Sequence, residues 1–144
     1  MARFQYNQKD IDEVIRDLIS IDSALKDYYV ECTKEDAEHD SNRIFYLDIA
    51  YISRYVVDCV KTGRTDFFDK LFDKIEYVIN NCDTEMENLM VVGLFEGIQN
   101  IGGREINYYS GFDKWLRPTS KIKWDNLIDS WEGTDWRKSN SNRK

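Results

Sequence analysis

The chain has 144 residues, of which 42% are hydrophobic, 14% aromatic and 33% charged, and its formal net charge is −7. This length predicts one domain with a single core, since a chain of this size buries roughly two thirds of its unfolded surface. The acidic balance argues against nucleic-acid binding, because phosphate contacts need clustered Lys and Arg. A basic partner matches the charge better.

Cysteine usage and the amino terminus bear on the compartment. Cys32, Cys59 and Cys82 are widely spaced and form no C-x-x-C pair, which predicts buried thiols in a reducing environment. The start, MARFQYNQKD, lacks the apolar stretch of a signal peptide, and the apolar run LMVVGLF is far shorter than the ~20 residues of a membrane span. We therefore expect a cytoplasmic protein without membrane contact.

Apolar spacing predicts three helices in the first 80 residues. Residues 10–32 carry one apolar stripe at spacings of three and four, and the charged segment TKEDAEHDSN that follows predicts a connecting loop or a frayed helix start. A second helix is expected over residues 42–61, with Gly63 as its left-handed end. Thr65 is the expected N-cap of a third helix, which has its apolar face over residues 67–79 and Glu76 on the solvent side.

The stretch NLMVVGLFEGIQNIGG, residues 88–103, could cradle a ligand or could be a packed helix. It contains neither the G-x-G-x-x-G nor the G-x-x-x-x-G-K-[ST] pattern of phosphate-binding loops. Gly93 and Gly97 share one face of a helix that starts at Asp83 or Thr84, where missing side chains let a neighbouring backbone approach closely. We therefore favour close packing, with Gly102-Gly103 ending the helix. A narrow ligand cleft over the glycine stripe is the alternative.

The last third has shorter units. Residues 108–116 predict a turn or two of helix, and Pro118 or Thr119 begins a final helix that ends at Gly133. We expect three tryptophans on helical stripes to be core residues: Trp115, Trp124 and Trp131. No strand pattern competes, so the sequence predicts an all-α domain, residues 1–133, followed by a polar, basic tail, residues 134–144. Five or six antiparallel helices are expected, as an irregular bundle or a short helical-hairpin stack.

No catalytic, metal or cofactor site emerges from the residue pattern. The single histidine, His39 in EDAEHD, has no second His or Cys nearby, which favours a solvated side chain over a metal ligand or general base. Acidic pairs such as Asp66/Asp69 are expected at helical spacing in a chain with 27 acids. A protein-binding surface is the better expectation. Its candidate residues are Glu35, Asp36, Glu38 and Asp40, in the acidic segment, with Tyr108, Tyr109 and Trp136 as aromatic anchors.

A resemblance rests on the second half of the chain. ENLMVVGLFEGIQNI, a loop and WLRPTSKIKWDNLIDSWEG carry the pattern N-L-x-x-V-G-x-x-E-x-I-Q-N followed by L-x-P-x-S and a Trp-containing helix. Over residues 85–133 this resembles small acidic all-helical immunity proteins of bacterial polymorphic toxin and contact-dependent growth inhibition systems. Arg117 occupies the position where glycine is expected before the proline.

The resemblance implies a non-enzymatic protein without a cofactor, which binds a cognate toxin C-terminal domain and occludes its active site or substrate surface. Many such toxins are nucleases with basic grooves, toward which an acidic inhibitor would be steered. Two other classes remain open at this point. One is a non-enzymatic helical adaptor or regulatory module that binds a protein or peptide; the other is an enzyme whose helical site gathers His39 or several carboxylates.

Overall fold

The structure is a computed structural model that describes residues 8–39, 45–82 and 84–137. All regular secondary structure within these ranges is helical. The chain is all-helical over these ranges, as expected, with no strand among them. The helices are α1 (Gln8–Ile19), α2 (Ser23–His39), α3 (Phe45–Thr62), α4 (Phe68–Asn81), α5 (Thr84–Asn88), a π-helical segment (Leu89–Phe95), α6 (Glu96–Gly102) and α7 (Pro118–Glu132). α5, the π-helical segment and α6 follow one another without a break.

The single helix predicted over residues 10–32 is wrong, because the chain breaks between α1 and α2. The hydroxyl of Ser20 donates to the carbonyl of Arg16 at 2.6 Å, which closes the end of α1. Asp22 then acts as the N-cap of α2, where its carboxylate accepts a hydrogen bond from the backbone N–H of Leu25 at 3.0 Å. Apolar spacing does not reveal the break, since the buried stripe continues across both helices.

Gly63 ends α3 as predicted, with φ +77°. The N–H of Gly63 donates to the carbonyl of Val60 at 3.3 Å, and the N–H of Arg64 donates to the carbonyl of Cys59 at 2.9 Å. These two bonds form a Schellman motif. The turn directs the Arg64 guanidinium to the carboxylate of Asp22, at 2.8 and 2.9 Å, so that the end of α3 is tied to the start of α2.

α4 begins three residues after the expected cap. Thr65 contributes only its carbonyl, which accepts from the N–H of Phe68 at 3.1 Å, and Phe67 stands at the N-cap without a side-chain hydrogen bond. The expected capping role of Thr65 is therefore wrong. The apolar face predicted for this helix is confirmed by its buried residues, among them Phe72 and Ile75.

The stretch NLMVVGLFEGIQNIGG is a buried helical run, although not a uniform α-helix. Within it, Leu89–Phe95 is π-helical, and the N–H of Glu96 donates to the carbonyl of Val91, five residues earlier. Leu89, Met90, Leu94, Phe95 and Ile98 are completely buried. None of the seven residues Leu89–Phe95 has a polar side chain, so apolar surface covers more of the helix circumference here than in an amphipathic α-helix.

Gly97 is the contact point with a neighbouring helix that the sequence predicts. A Cβ added to Gly97 would lie 2.6 Å from the Ser53 Oγ on α3, closer than real Cβ atoms approach. The hydroxyl of Ser53, itself buried, donates to the carbonyl of Leu94 at 3.0 Å. α3 and this run are therefore joined both by close approach and by a buried hydrogen bond.

The core is aromatic toward its carboxyl-terminal side, where α4 packs against α7. Trp115 and Trp124 are core residues, as predicted. Trp131 is not, because 45% of it is exposed and its indole N–H donates to the buried Gln99 side chain at 3.0 Å. Of the three cysteines, all thiols, Cys59 is buried and the other two are partly exposed.

α7 begins at Pro118, as predicted, but its cap comes from another helix. The carboxylate of Glu76, on α4, accepts hydrogen bonds from the backbone N–H groups of Thr119 at 2.9 Å and Ser120 at 2.8 Å. The expected solvent-side position of Glu76 is therefore wrong. Its partly buried carboxylate satisfies two of the N–H groups that the first turn of a helix leaves unpaired.

Candidate functional site

An open cleft of about 720 Å³ lies between the loop after α6 and the last residue of α7. Its lining combines aromatic rings, carboxylates and one arginine. The lining residues are Gly103, Arg104, Glu105, Ile106, Asn107, Tyr108, Tyr109 and Glu132. We refer to it below as the tyrosine cleft.

The loop that forms the cleft is shaped by local chemistry. Gly103 has φ +50° and its N–H donates to the carbonyl of Gln99 at 3.0 Å, which ends α6. The Asn107 side-chain oxygen then accepts hydrogen bonds from the backbone N–H groups of Tyr109 at 3.1 Å and Ser110 at 3.3 Å. This Asx-type turn fixes the backbone that carries the tyrosine pair.

Two tyrosine hydroxyls converge on the carboxylate of Glu132. The Tyr108 hydroxyl donates to Oε2 at 2.7 Å, and the Tyr109 hydroxyl lies 2.6 Å from Oε1 and 2.7 Å from Oε2. The ring centroids of the two tyrosines are 4.7 Å apart. The carboxylate and both rings are therefore held in one arrangement by their mutual hydrogen bonds.

The tyrosine pair is anchored to the core from behind. The indole N–H of the completely buried Trp124 donates to the backbone carbonyl of Tyr108 at 2.8 Å. Phe112 packs on Trp124 with ring centroids 4.7 Å apart. A backbone tied to the core restricts motion of the cleft wall, which lowers the entropic cost of binding there.

Trp136 forms the neighbouring part of this surface. Its ring centroid lies 5.8 Å from that of Tyr109, its indole N–H donates to Asp129 at 2.9 Å, and only 9% of the residue is exposed. Arg137 binds the same Asp129 carboxylate through two hydrogen bonds, at 3.0 and 2.8 Å. Packing thus continues beyond Gly133 to Arg137, into the segment expected to be a tail. Residues 138–144 lie outside the described residues.

The electrostatics of the cleft centre on Glu132. Burial, together with the hydrogen bond to Glu132, raises the pKa of the Tyr108 hydroxyl, so that this group remains a neutral donor. Glu105 is paired with Lys61 of α3. Across residues 8–39, 45–82 and 84–137, no Lys or Arg pairs with Glu132, whose partners are the two phenols.

The structure brings together some of the residues that the sequence predicts for a protein-binding surface, and leaves others undescribed. Tyr108 and Tyr109 line the cleft, and Trp136 packs beside Tyr109. The acidic group behaves differently, because the chain is helical through His39 where a loop or frayed helix start is predicted. The side chains of Glu35, Asp36 and Glu38 and all of Asp40 lie outside the described part of the structure.

Glu132 is a residue of the candidate site that the sequence reasoning missed. A carboxylate in the last turn of a helix faces the negative end of the helix dipole, where a base is favoured instead. The sequence alone could have indicated this unfavourable position, since Glu132 directly precedes Gly133, which ends the helix. The two tyrosines that compensate for it are more than 20 residues away in sequence.

Residues 8–39, 45–82 and 84–137 contain no group of three or more His, Cys, Asp or Glu side chains that is placed to hold a metal ion. His39 is the final residue of α2. No helix in this part of the chain combines the length and apolar character needed to cross a bilayer.

The fold and cleft define a small all-helical domain with an aromatic, carboxylate-bearing surface. The chain belongs to the family described as a domain of unknown function, DUF7674, whose match covers residues 15–132. This range includes the entire tyrosine cleft and ends at Glu132. No match was found among curated proteins or among solved structures.

Proposed function

We propose that this protein is a non-enzymatic immunity protein of the cytoplasm that binds and neutralises a cognate bacterial toxin domain. The observation that carries the proposal is the tyrosine cleft, in which Tyr108, Tyr109 and Glu132 form a prebuilt surface beside Trp136. Tyrosine and tryptophan are the usual anchors of protein interfaces. Resemblance over residues 85–133 points to the same class of protein.

Net charge supports the choice of partner. With a formal charge of −7, the protein attracts a basic domain over long range and accelerates its association. A nuclease-type toxin carries such a basic groove for its substrate. The proposed inhibitor occupies that groove or the adjacent active site, and so excludes the nucleic acid.

Rigidity of the cleft supports inhibition by occlusion. The hydroxyls of Tyr108 and Tyr109 are already held by Glu132, so few side-chain rotamers are lost when a partner docks. We also propose that the helices follow one another in antiparallel succession in a bundle, an arrangement that would hold the cleft surface as one rigid face.

Co-expression with the product of the adjacent upstream gene tests the proposal. We expect a complex that co-purifies at equal stoichiometry and cells that survive the toxin. A folded, toxic upstream product that neither co-purifies nor is neutralised would contradict the proposal. A complex without rescue would contradict the immunity role and would favour a helical adaptor instead.

Matched variants locate the interface. Tyr109→Ala removes a ring of the cleft, whereas Tyr77→Ala removes an exposed ring on α4 that is not among the residues lining the cleft. We expect Tyr109→Ala to weaken the complex about tenfold or more, a loss typical of an interface anchor. Tyr77→Ala should leave binding unchanged. Equal losses in both variants, or none in Tyr109→Ala, would remove the cleft from the interface.

A further inference from the structure

We infer that the tyrosine cleft is a recognition site for a guanidinium group, supplied by an arginine side chain of the protein partner. That the guanidinium comes from a protein partner rests on the proposed function. That the site binds a guanidinium rests only on the groups in the cleft, Tyr108, Tyr109 and Glu132.

The charge of Glu132 is not balanced by a cation of the described residues. Both of its oxygens accept hydrogen bonds, but the donors are neutral phenols, and no cation of the described residues pairs with it. The other acidic residue of the cleft, Glu105, already has Lys61 as its partner. Glu132 therefore remains a fixed, exposed negative charge with capacity for a further donor, since a carboxylate offers about four acceptor positions.

Glu132 also stands at the carboxyl-terminal end of its helix. It is the last residue of α7, where carbonyl groups without intrahelical partners give the helix end a partial negative charge. The carboxylate and the helix end reinforce each other. Their combined field attracts a cation at this point and repels an anion.

Two aromatic rings stand beside the Glu132 carboxylate. Tyr108 and Tyr109 line the cleft on the side of Glu132, with ring centroids 4.7 Å apart and planes inclined by 30°. A planar guanidinium stacks on an aromatic face while its N–H groups reach a carboxylate, which an ammonium group does less well. Arginine therefore fits the combination of groups better than lysine.

Arg104 allows a cation-binding cleft to be distinguished from an anion-binding one. This exposed residue also lines the cleft, so an anionic ligand would be expected to depend on Arg104 rather than on Glu132. Glu132→Gln keeps the shape of the side chain and removes its charge, and Arg104→Gln does the equivalent at the basic residue. Glu31→Gln, at an exposed position of α2, is the matched control for loss of one negative charge.

The experiment is an NMR titration of the full chain with N-acetyl-arginine amide, and with N-acetyl-citrulline amide as its uncharged isostere. We expect amide shifts centred on residues 103–109 and 132 with the arginine probe only, at a dissociation constant on the order of millimolar. Glu132→Gln should weaken that binding about five- to tenfold, because a charge-assisted contact is lost. Glu31→Gln should leave it unchanged, and Arg104→Gln should not weaken it, because the probe and Arg104 carry the same charge.

Several results would overturn the inference. These are equal responses to both probes, shifts outside the cleft, or dependence on Arg104 instead of Glu132. The chain also carries its own bases at Lys138, Arg143 and Lys144. If shifts at 103–109 and 132 appear on replacing these three with glutamine, without any probe, the occupant is the chain's own terminus and the inference fails.

The two proposals fail separately. Arginine binding without a toxin complex would support the site and contradict the immunity role. Toxin neutralisation that persists in Glu132→Gln, without arginine binding in the unmodified protein, would support the immunity role and overturn the guanidinium site.

Discussion

The carboxylate of Glu76 accepts two hydrogen bonds from Ser120, one from the backbone N–H at 2.8 Å and one from the hydroxyl at 2.7 Å. Its second oxygen accepts from the N–H of Thr119 at 2.9 Å. One side chain of α4 thus supplies the cap that α7 lacks in its own sequence, since Arg117 at the N-cap makes no side-chain capping bond. The contact helps to position the helix that ends in Glu132.

Glu76→Gln should reduce stability in a pH-dependent way. Burial raises the pKa of Glu76, but the hydrogen bonds from Ser120 and Thr119 outweigh it and lower the pKa from 4.5 to about 2. The stabilisation is therefore complete above about pH 4.5 and is lost as the pH falls toward 2. Urea unfolding should show a deficit of about 1–3 kcal/mol at pH 7 that shrinks on acidification. A pH-independent deficit would refute the charged cap. Glu31→Gln is the control.

Gly97→Ala should destabilise the protein even though alanine is the better helix former. The added methyl group meets the Ser53 Oγ at 2.6 Å and the Ser53 Cβ at 3.0 Å, so that α3 and α6 must separate. We expect a loss of about 1–3 kcal/mol in thermal unfolding, partly relieved when Ser53→Ala is combined with it. Asn100→Ala, at an exposed position of α6, is the control for helix propensity. Stabilisation by Gly97→Ala would show that the helices have room to spare.

Asp22 should contribute more than a helix cap. Asp22→Ala removes both the bond to the Leu25 N–H and the ion pair with Arg64. Asp22→Asn keeps one oxygen for the cap and loses the negative charge and the second acceptor oxygen that face Arg64. We expect a loss of about 1–3 kcal/mol for the first variant and a smaller one for the second, measured by urea unfolding. Equal losses would assign the whole effect to the pairing with Arg64.

Trp136→Ala should destabilise the protein and disturb the cleft. The variant loses the indole bond to Asp129 and the ring packed on Tyr109. We expect a cost of about 2–4 kcal/mol, near the low end for a buried tryptophan, together with NMR shifts at Tyr109. Trp136→Phe keeps an aromatic ring but loses the indole N–H and part of the buried ring volume, so its cost should be smaller, about 1–2 kcal/mol. Unchanged Tyr109 resonances in Trp136→Ala would show that the cleft does not need this support.

Association with the proposed toxin partner should slow as salt rises. Attraction between the −7 chain and a basic domain is screened beyond about 8 Å at physiological ionic strength. Stopped-flow association rates should fall about tenfold between low salt and roughly 0.5 M salt. A rate independent of salt would assign recognition to the aromatic surface without charge steering.

Some helix ends and one helix contact could be predicted from the sequence, because they depend on the chemistry of single residues. Glycines end helices because they adopt positive φ at little cost, and this correctly placed the ends of α3 at Gly63 and of α7 at Gly133. The missing side chain at Gly97 correctly predicted the approach of a neighbouring helix. The helix break at Asp22 also has a local signal, an acidic N-cap residue, but the apolar spacing continues across it and predicts one helix.

Burial of individual aromatic residues could not be read in the same way. Trp131 lies on an apolar stripe and is largely exposed, whereas Trp136 lies in the expected tail and is buried. Helical periodicity states which side chains share a face. It does not state how far a neighbouring element extends along that face, and that extent decides which of the last tryptophans is covered.

The sequence by itself determined the helical class, the ends of α3, α6 and α7 at glycines, and two of the cleft residues, Tyr108 and Tyr109, because these depend on backbone preference and residue type. Tertiary structure alone decided that their hydroxyls meet on Glu132, 24 and 23 residues away, and that Glu76 caps α7 across 44 residues. The reason is physical. Hydrogen bonds over such separations form only after packing of the apolar faces has set the distances between helices, and no local pattern records those distances.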